Sequence, residues 1–244
     1  MKQRRLTKTL YGANRNWLIA SIVIAIIITS PILAIIWIAI SPEENVWTHL
    51  ATSVLPTYIY NSVLLMFGVG AFVSIIGTGT AWIVAMCEFP GSRFFAWALI
   101  LPMAMPAYVV AYVYTDFLEF AGPVQTFLRM LFNWTTSSDY WFPQIRSPGG
   151  AITVLSLVLY PYVYALTRAS FLEQSVSTLE AGRVLGLTGA QNFFYTSLPL
   201  ARPAIVVGVT LCLMEVLSDF GTVDYFAVRT LTVGIFDVWF GMEN

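Results

Sequence analysis

Two carboxylates stand where a carboxylate is costly. Glu215 and Asp219 lie inside the apolar run 203–226, at positions i and i+4, a spacing that places them on one face of a helix. A charge at mid-membrane costs at least ~2.5–3.5 kcal/mol, so such residues face a bundle interior, a water-filled path or a partner. No basic residue lies in the same run to pair with them. A structural hydrogen bond holding this span to its neighbours is the competing reading. The other residue types that do chemistry are sparse. His49 is the lone histidine, and Cys87 and Cys212 show neither disulfide nor Cys/His metal spacing. The glycines of "GVGAFVSIIGTGTAW" have no Gly-Lys-Ser/Thr after them, so they suit close helix contact rather than a phosphate loop. No nucleophile–base set is present, so no catalytic residue, metal site or cofactor is expected.

The elements that hold these residues follow from composition. Of 244 residues, 58% are hydrophobic and 10% charged, where soluble domains carry about 25% charged. Lipid must be the solvent for most of this surface. A net charge of −1 gives no basis for nucleic-acid binding. Five spans are expected, near 17–40, 59–86, 94–117, 149–172 and 203–226. Each is close to or above the ~20 residues a crossing helix needs. Pro102 and Pro106 should kink or break the third. The basic start, 1–16, resembles a signal peptide, but the apolar run after it exceeds the usual h-region of about 7–15 residues, so the first span is read as retained. With that start inside, nine of the 12 Lys and Arg residues fall on the cytoplasmic side, which fits the positive-inside rule. The outer connection 118–148 holds aromatics that suit a membrane interface or an extracytoplasmic partner, interface anchoring being the simpler reading.

The cytoplasmic connection 173–202 is polar and punctuated by glycine. "STLEAGRVLGL" reads as a short helix, with Ser177 or Thr178 as N-cap and Gly186 and Gly189 marking a break. Pro199 and Pro203 lead into the fifth span. A short helix held between two spans can present itself to a soluble partner. An ordinary surface helix is the alternative.

This connection resembles the EAA loop of binding-protein-dependent ABC importer permeases: Glu-Ala-Ala, three residues, Gly, nine residues, Ile, one residue, Leu-Pro. Here Glu180, Ala181, Gly182, Gly186, Thr196, Leu198 and Pro199 occupy those positions with every spacing kept. Gly182 replaces the third small residue and Thr196 the aliphatic one. The stretches 87–114 and 214–240 are similar to permeases of the ferric-iron type, a resemblance covering roughly 68–240.

The resemblance implies an all-α fold, a polytopic transmembrane helical bundle with part of the type I permease architecture over 17–244. It implies a subunit that does not itself hydrolyse ATP. The partners implied are an ATP-binding subunit docked on the loop, an extracytoplasmic solute-binding protein, a second permease half and membrane lipid. The solute implied is ferric iron, with sulfate, thiamine or polyamine as alternatives. A short stretch, "TVGIFDVWF", ends the reading, and the chain is expected to be the N-terminal half or a fragment of a longer permease of the bacterial inner membrane. A secondary transporter or channel using Glu215 and Asp219, or a membrane enzyme, are the rival classes.

Overall fold

The computed structural model describes residues 15–40 and 53–241. Most of the basic N-terminus, and the loop carrying Glu43 and His49, lie outside the described residues. The chain divides into two units, 1–51 and 52–244. In the first, α1 (Arg15–Ile40) is apolar all round, as a helix bathed in lipid is. Pro31 sits inside it and cannot donate to Ile27. The Ser30 hydroxyl donates to the Ile27 carbonyl instead, at 3.1 Å.

The second unit is built on three long helices, α2 (Leu55–Met86), α6 (Pro148–Leu172) and α9 (Leu198–Ser218). Between α2 and α6 lie α3 (Ser92–Ala98), a 3₁₀ turn (Leu101–Ala104), α4 (Ala107–Leu118) and α5 (Pro123–Phe132). The α6–α9 connection holds α7 (Val176–Val184), α8 (Gly189–Asn192) and a π turn (Phe193–Ser197); α10 (Gly221–Tyr225) and α11 (Leu231–Gly241) follow α9. No strand occurs among the described residues.

Helix α6 is the centre. Its most apolar window is 61% buried, against 22% for the corresponding windows of α2 and of the α8–α9 stretch. Val163 shows why the three can close on one another. A Cβ added to Gly77 of α2 would stand 2.7 Å from the Val163 Cβ, and one added to Gly208 of α9 would stand 2.8 Å from its Cα. The two glycines admit the α6 backbone on both sides. Gly68 makes room for the Ile152 side chain, whereas Gly79 meets open space. The thiol of Cys212 donates to the Leu159 carbonyl at 3.2 Å.

Among the described residues four helices are long and apolar enough to cross a membrane, five if the broken pair counts as one span. The first, second and fourth agree closely with the expected runs. The third is broken rather than continuous. Ser92–Ala104 and Ala107–Phe132 meet at 97°, and the chain turns at Met105, which is extended at φ −106°, ψ 133°. Pro106 forces that conformation, because its ring crowds out the helical region for the residue before it. The fifth expected span, 203–226, is corrected at both ends. Helix α9 starts at Leu198, and it stops at Ser218, where Asp219 turns extended at ψ 125°. Helix α11 covers Leu231–Gly241, where the described residues stop.

Candidate functional site

The α6–α9 connection is shaped chiefly by its backbone ends. Helix α7 carries Glu180 and Ala181 on its exposed side and Gly182 on its buried side. Its N-cap is Ser175, at φ −68°, ψ 135°, not Ser177 or Thr178, which fall inside the first turn. The Ser175 and Thr178 hydroxyls meet at 2.6 Å. At the other end Gly186 adopts φ +83°. It donates to the Arg183 carbonyl at 2.9 Å, and Leu187 donates to Gly182 at 3.0 Å. This paired closure needs a left-handed residue, which glycine supplies without steric cost. Two residues later Thr188 caps α8. Its hydroxyl accepts from the Gln191 amide at 3.3 Å, and the Gln191 side chain accepts from the Thr188 amide at 2.9 Å. The pattern Thr-x-x-Gln is a sequence-level capping signal, and it is the clue that would have revealed this second helix start.

Pro199 explains the π turn. Without an amide hydrogen it cannot donate to Tyr195, and Leu198 reaches back to the Phe193 carbonyl instead. The turn carries the loop into α9 and brings Phe193 onto the bundle. Phe193 lies 4.8 Å from Trp82 of α2 and 6.4 Å from Phe171 of α6, with Trp82 and Phe171 themselves 5.5 Å apart. Gln174, just past α6, donates to the Ser197 carbonyl at 2.9 Å. These anchoring residues were not among those expected from sequence, because their contacts join distant parts of the chain.

Gly182 stands where the motif it resembles has a small residue, and it faces Asn192 closely. A Cβ there would stand 2.8 Å from Oδ1 of Asn192, which is buried. Leu198 and Pro199 are half-buried, and Gly186 is exposed with open space around it. The connection leaves apolar side chains outside: Val184 and Leu185 are 87% and 82% exposed, and Tyr195 is 74% exposed.

The two carboxylates have different partners. Glu215 is exposed on α9 and accepts from the Tyr162 hydroxyl at 3.4 Å. Asp219 is the C-cap of α9, and its amide still donates to the Glu215 carbonyl one turn back, at 2.9 Å. Its carboxylate accepts from the Thr222 amide and hydroxyl, both at 2.8 Å, and from the Val223 amide at 3.2 Å. It thereby caps the start of α10. Asp and Asn side chains commonly bond in this way to backbone amides a few residues on, at turns and helix starts.

At the opposite end of α6 the 119–147 connection is tied by side chains. Arg146 pairs with Glu119 at 2.8 Å and lies over the Tyr225 ring, 4.8 Å from its centroid. An open cavity of about 660 Å³ beside this pair is lined by Gln125, Tyr140 and Trp141, among others. No group of three or more His, Cys, Asp or Glu side chains that could hold a metal occurs among the described residues.

With this geometry in place, comparison with known proteins is decisive for the family. Residues 77–236 match the family described as "Binding-protein-dependent transport system inner membrane component". The chain belongs to this family. Its fold is thus the type I ABC permease fold, and the chain is an integral component of the inner membrane. The molybdenum transport system permease protein ModB of Escherichia coli is 28% identical over 143 residues, 58% of this chain and 58% of that protein. The Fe(3+)-transport system permease protein FbpB 2 of Haemophilus influenzae is 27% identical over 176 residues, 72% of this chain and 30% of the relative. The sulfate transport system permease protein CysT of Synechocystis is 23% identical over 208 residues, 85% of this chain and 70% of the relative. The chain therefore spans little more than half of the molybdenum permease and under a third of the iron permease. The three names differ in solute, so similarity does not single out the ferric-iron type.

Proposed function

We propose that this chain is the membrane-spanning permease part of an ATP-driven importer, and that the 173–202 connection is its docking element for a separate ATP-binding subunit. One observation carries the reading. The loop is held firmly to α2 and α6 through Phe193, Trp82 and Phe171, yet it leaves Val184 and Leu185 exposed beside Glu180 and Ala181. A push on the exposed end would be transmitted into two of the three core helices rather than absorbed by the loop. Placing this loop and the N-terminus in the cytoplasm follows the charge bias. The permease domain then runs from 17 through 244, after the basic segment 1–16.

The solute we assign is an inorganic ion handed over by an extracytoplasmic binding protein. Ferric iron is the narrower reading from the 87–114 and 214–240 stretches. Molybdate and sulfate are the alternatives that the relatives' names supply. Glu215 is assigned to the translocation path or to the contact with a second permease half, since Asp219 is already engaged as a cap.

The test is uptake into liposomes holding the complete transporter, with its binding protein supplied and each ion tried in turn. ATP-dependent uptake of one ion supports the importer and identifies the solute. Uptake driven by an ion gradient without ATP would assign the chain to the secondary transporters. In the same assay, wild-type uptake by Glu215→Gln would remove its charge from the mechanism.

A further inference from the structure

Helix α5 is amphipathic in the reverse sense for a helix facing water. Phe127, Met130 and Leu131 stand at i, i+3 and i+4 and so share one face, and they are 64%, 73% and 60% exposed. The polar residues point the other way. Gln125 is buried, donates to the Leu118 carbonyl at 2.7 Å and accepts from the Tyr140 hydroxyl. Arg129 donates to the Phe120 carbonyl at 2.7 Å, to Thr126 at 3.0 Å and to the Tyr140 hydroxyl at 3.2 Å. Its guanidinium also lies 4.0 Å from the centroid of the Phe120 ring. The charge is thus met by protein groups on the inner side of the helix, and the outward face is left wholly apolar.

We propose that the Phe127–Met130–Leu131 face of α5 is seated in lipid, at the membrane boundary opposite the 173–202 connection. The position of the helix selects lipid as the occupant. Only Glu119–Gly122 separate α5 from α4, and the stretch Ala107–Phe132 belongs to a broken pair that passes for a membrane span in length and composition. Tyr112, Val113 and Phe117 of α4 are also exposed, so the apolar surface continues from α4 onto α5. Trp134 and Tyr140, stacked at 4.8 Å just beyond the helix, are residue types that collect at the headgroup level. Arg129, satisfied from within, does not need to reach water, so the helix can lie in the boundary with its charge in place.

The test uses spin labels. Phe127→Cys, Met130→Cys and Leu131→Cys, with Ser137→Cys as the polar control, are made singly in the 244-residue chain carrying Cys87→Ser and Cys212→Ala. Each is placed in nanodiscs of phosphatidylethanolamine and phosphatidylglycerol. Oxygen concentrates in hydrocarbon and a nickel chelate stays in water. The expected result is oxygen accessibility several-fold above nickel accessibility at the three α5 sites, and the reverse at Ser137. Nickel dominance at Met130 would put the face in water and overturn the proposal. Low accessibility to both reagents would mean that a protein partner or a second copy covers it, and would overturn it equally. A second measurement needs no substitution. A diazirine-bearing phospholipid should label the Phe127–Phe132 segment of the unmodified chain on irradiation. Labelling of α2 without that segment would overturn the proposal.

Discussion

The connections at the two ends of α6 are built in opposite ways. The 119–147 connection closes on itself through side chains. Gln125, Arg129 and Tyr140 bond to one another or to nearby carbonyls, and Arg146 reaches Glu119 and Tyr225. The 173–197 connection closes through helix caps at Ser175, Gly186 and Thr188, the Gln174 bond to the Ser197 carbonyl and one aromatic anchor, and it leaves Val184 and Leu185 in the open. A segment whose polar groups satisfy one another is complete without a protein partner. A segment whose shape is fixed by its caps, with its apolar side chains unspent, has surface left for something to dock on. The contrast supports the coupling role proposed for the second connection, beside the motif spacing.

The strongest way to break this comparison is to charge the exposed end of α7. We predict that the double variant Val184→Asp, Leu185→Asp inserts normally but loses the ATP-binding subunit on co-purification. Interface hot spots cost about 2 kcal/mol or more when truncated, so retention should fall about thirtyfold. Undiminished co-purification with normal uptake would remove the docking role. Next in size is Gln125→Ala. It deprives the Leu118 carbonyl and the Tyr140 hydroxyl of a partner, and unmet buried groups cost about 1–3 kcal/mol each. We expect a lower unfolding temperature in detergent with co-purification unchanged. A loss of the ATP-binding subunit from this variant would mean that the two connections are not separate devices.

Much of this arrangement was legible in the sequence. The unbroken apolar runs place α1, α2 and α6 within a few residues, because hydropathy alone decides them. Pro102 and Pro106 announce the break in the third span, since proline acts through local geometry. The end of α9 was hidden because "SDFGTVDYF" stays apolar enough to extend a span, while Asp219 ends the helix by a hydrogen bond that hydropathy does not count. The inward turn of Arg129 was hidden for a different reason: its partner Tyr140 lies 11 residues away, and no local pattern specifies that contact. Gly182 falls in the same class, since the side chain that an added Cβ would crowd comes from Asn192.

A smaller effect is expected from Gly186→Val. The left-handed conformation costs a β-branched residue roughly 1–2 kcal/mol, although nothing lies within 4 Å of an added Cβ. The penalty is therefore conformational rather than steric. Proteolysis within 184–190 should quicken, while Gly189→Ala, which also meets open space but lies in a helix, should leave it unchanged. Equal cleavage of both variants would show that the Gly186 closure does not hold the loop.

The smallest effect separates the two connections by pH. Asp139, exposed in the 119–147 connection, accepts from the amides of Thr135 and Thr136, both at 2.8 Å. The Thr136 amide, followed by that of Thr135, holds its carboxyl below the usual 3.8. A carboxyl whose folded value is depressed binds its proton more weakly in the folded chain than in the unfolded one. Its contribution is present above the unfolded value and is lost as pH falls through the lowered folded value. Protection of the Thr135 and Thr136 amides against hydrogen exchange, corrected for intrinsic rates, should therefore stay level from neutrality down to the usual carboxylate range and decline below it. Asp139→Asn keeps an acceptor oxygen but cannot ionise, so its profile should be flat. The matching cap across the bundle, Thr188 with Gln191, is made of neutral groups, and protection of the Gln191 amide should show no inflection over the same window. A decline at Gln191 in step with Thr135 would mean that acid loosens the whole bundle. A flat profile at Thr135 in the wild-type chain would mean that the Asp139 turn contributes nothing to holding the 119–147 connection.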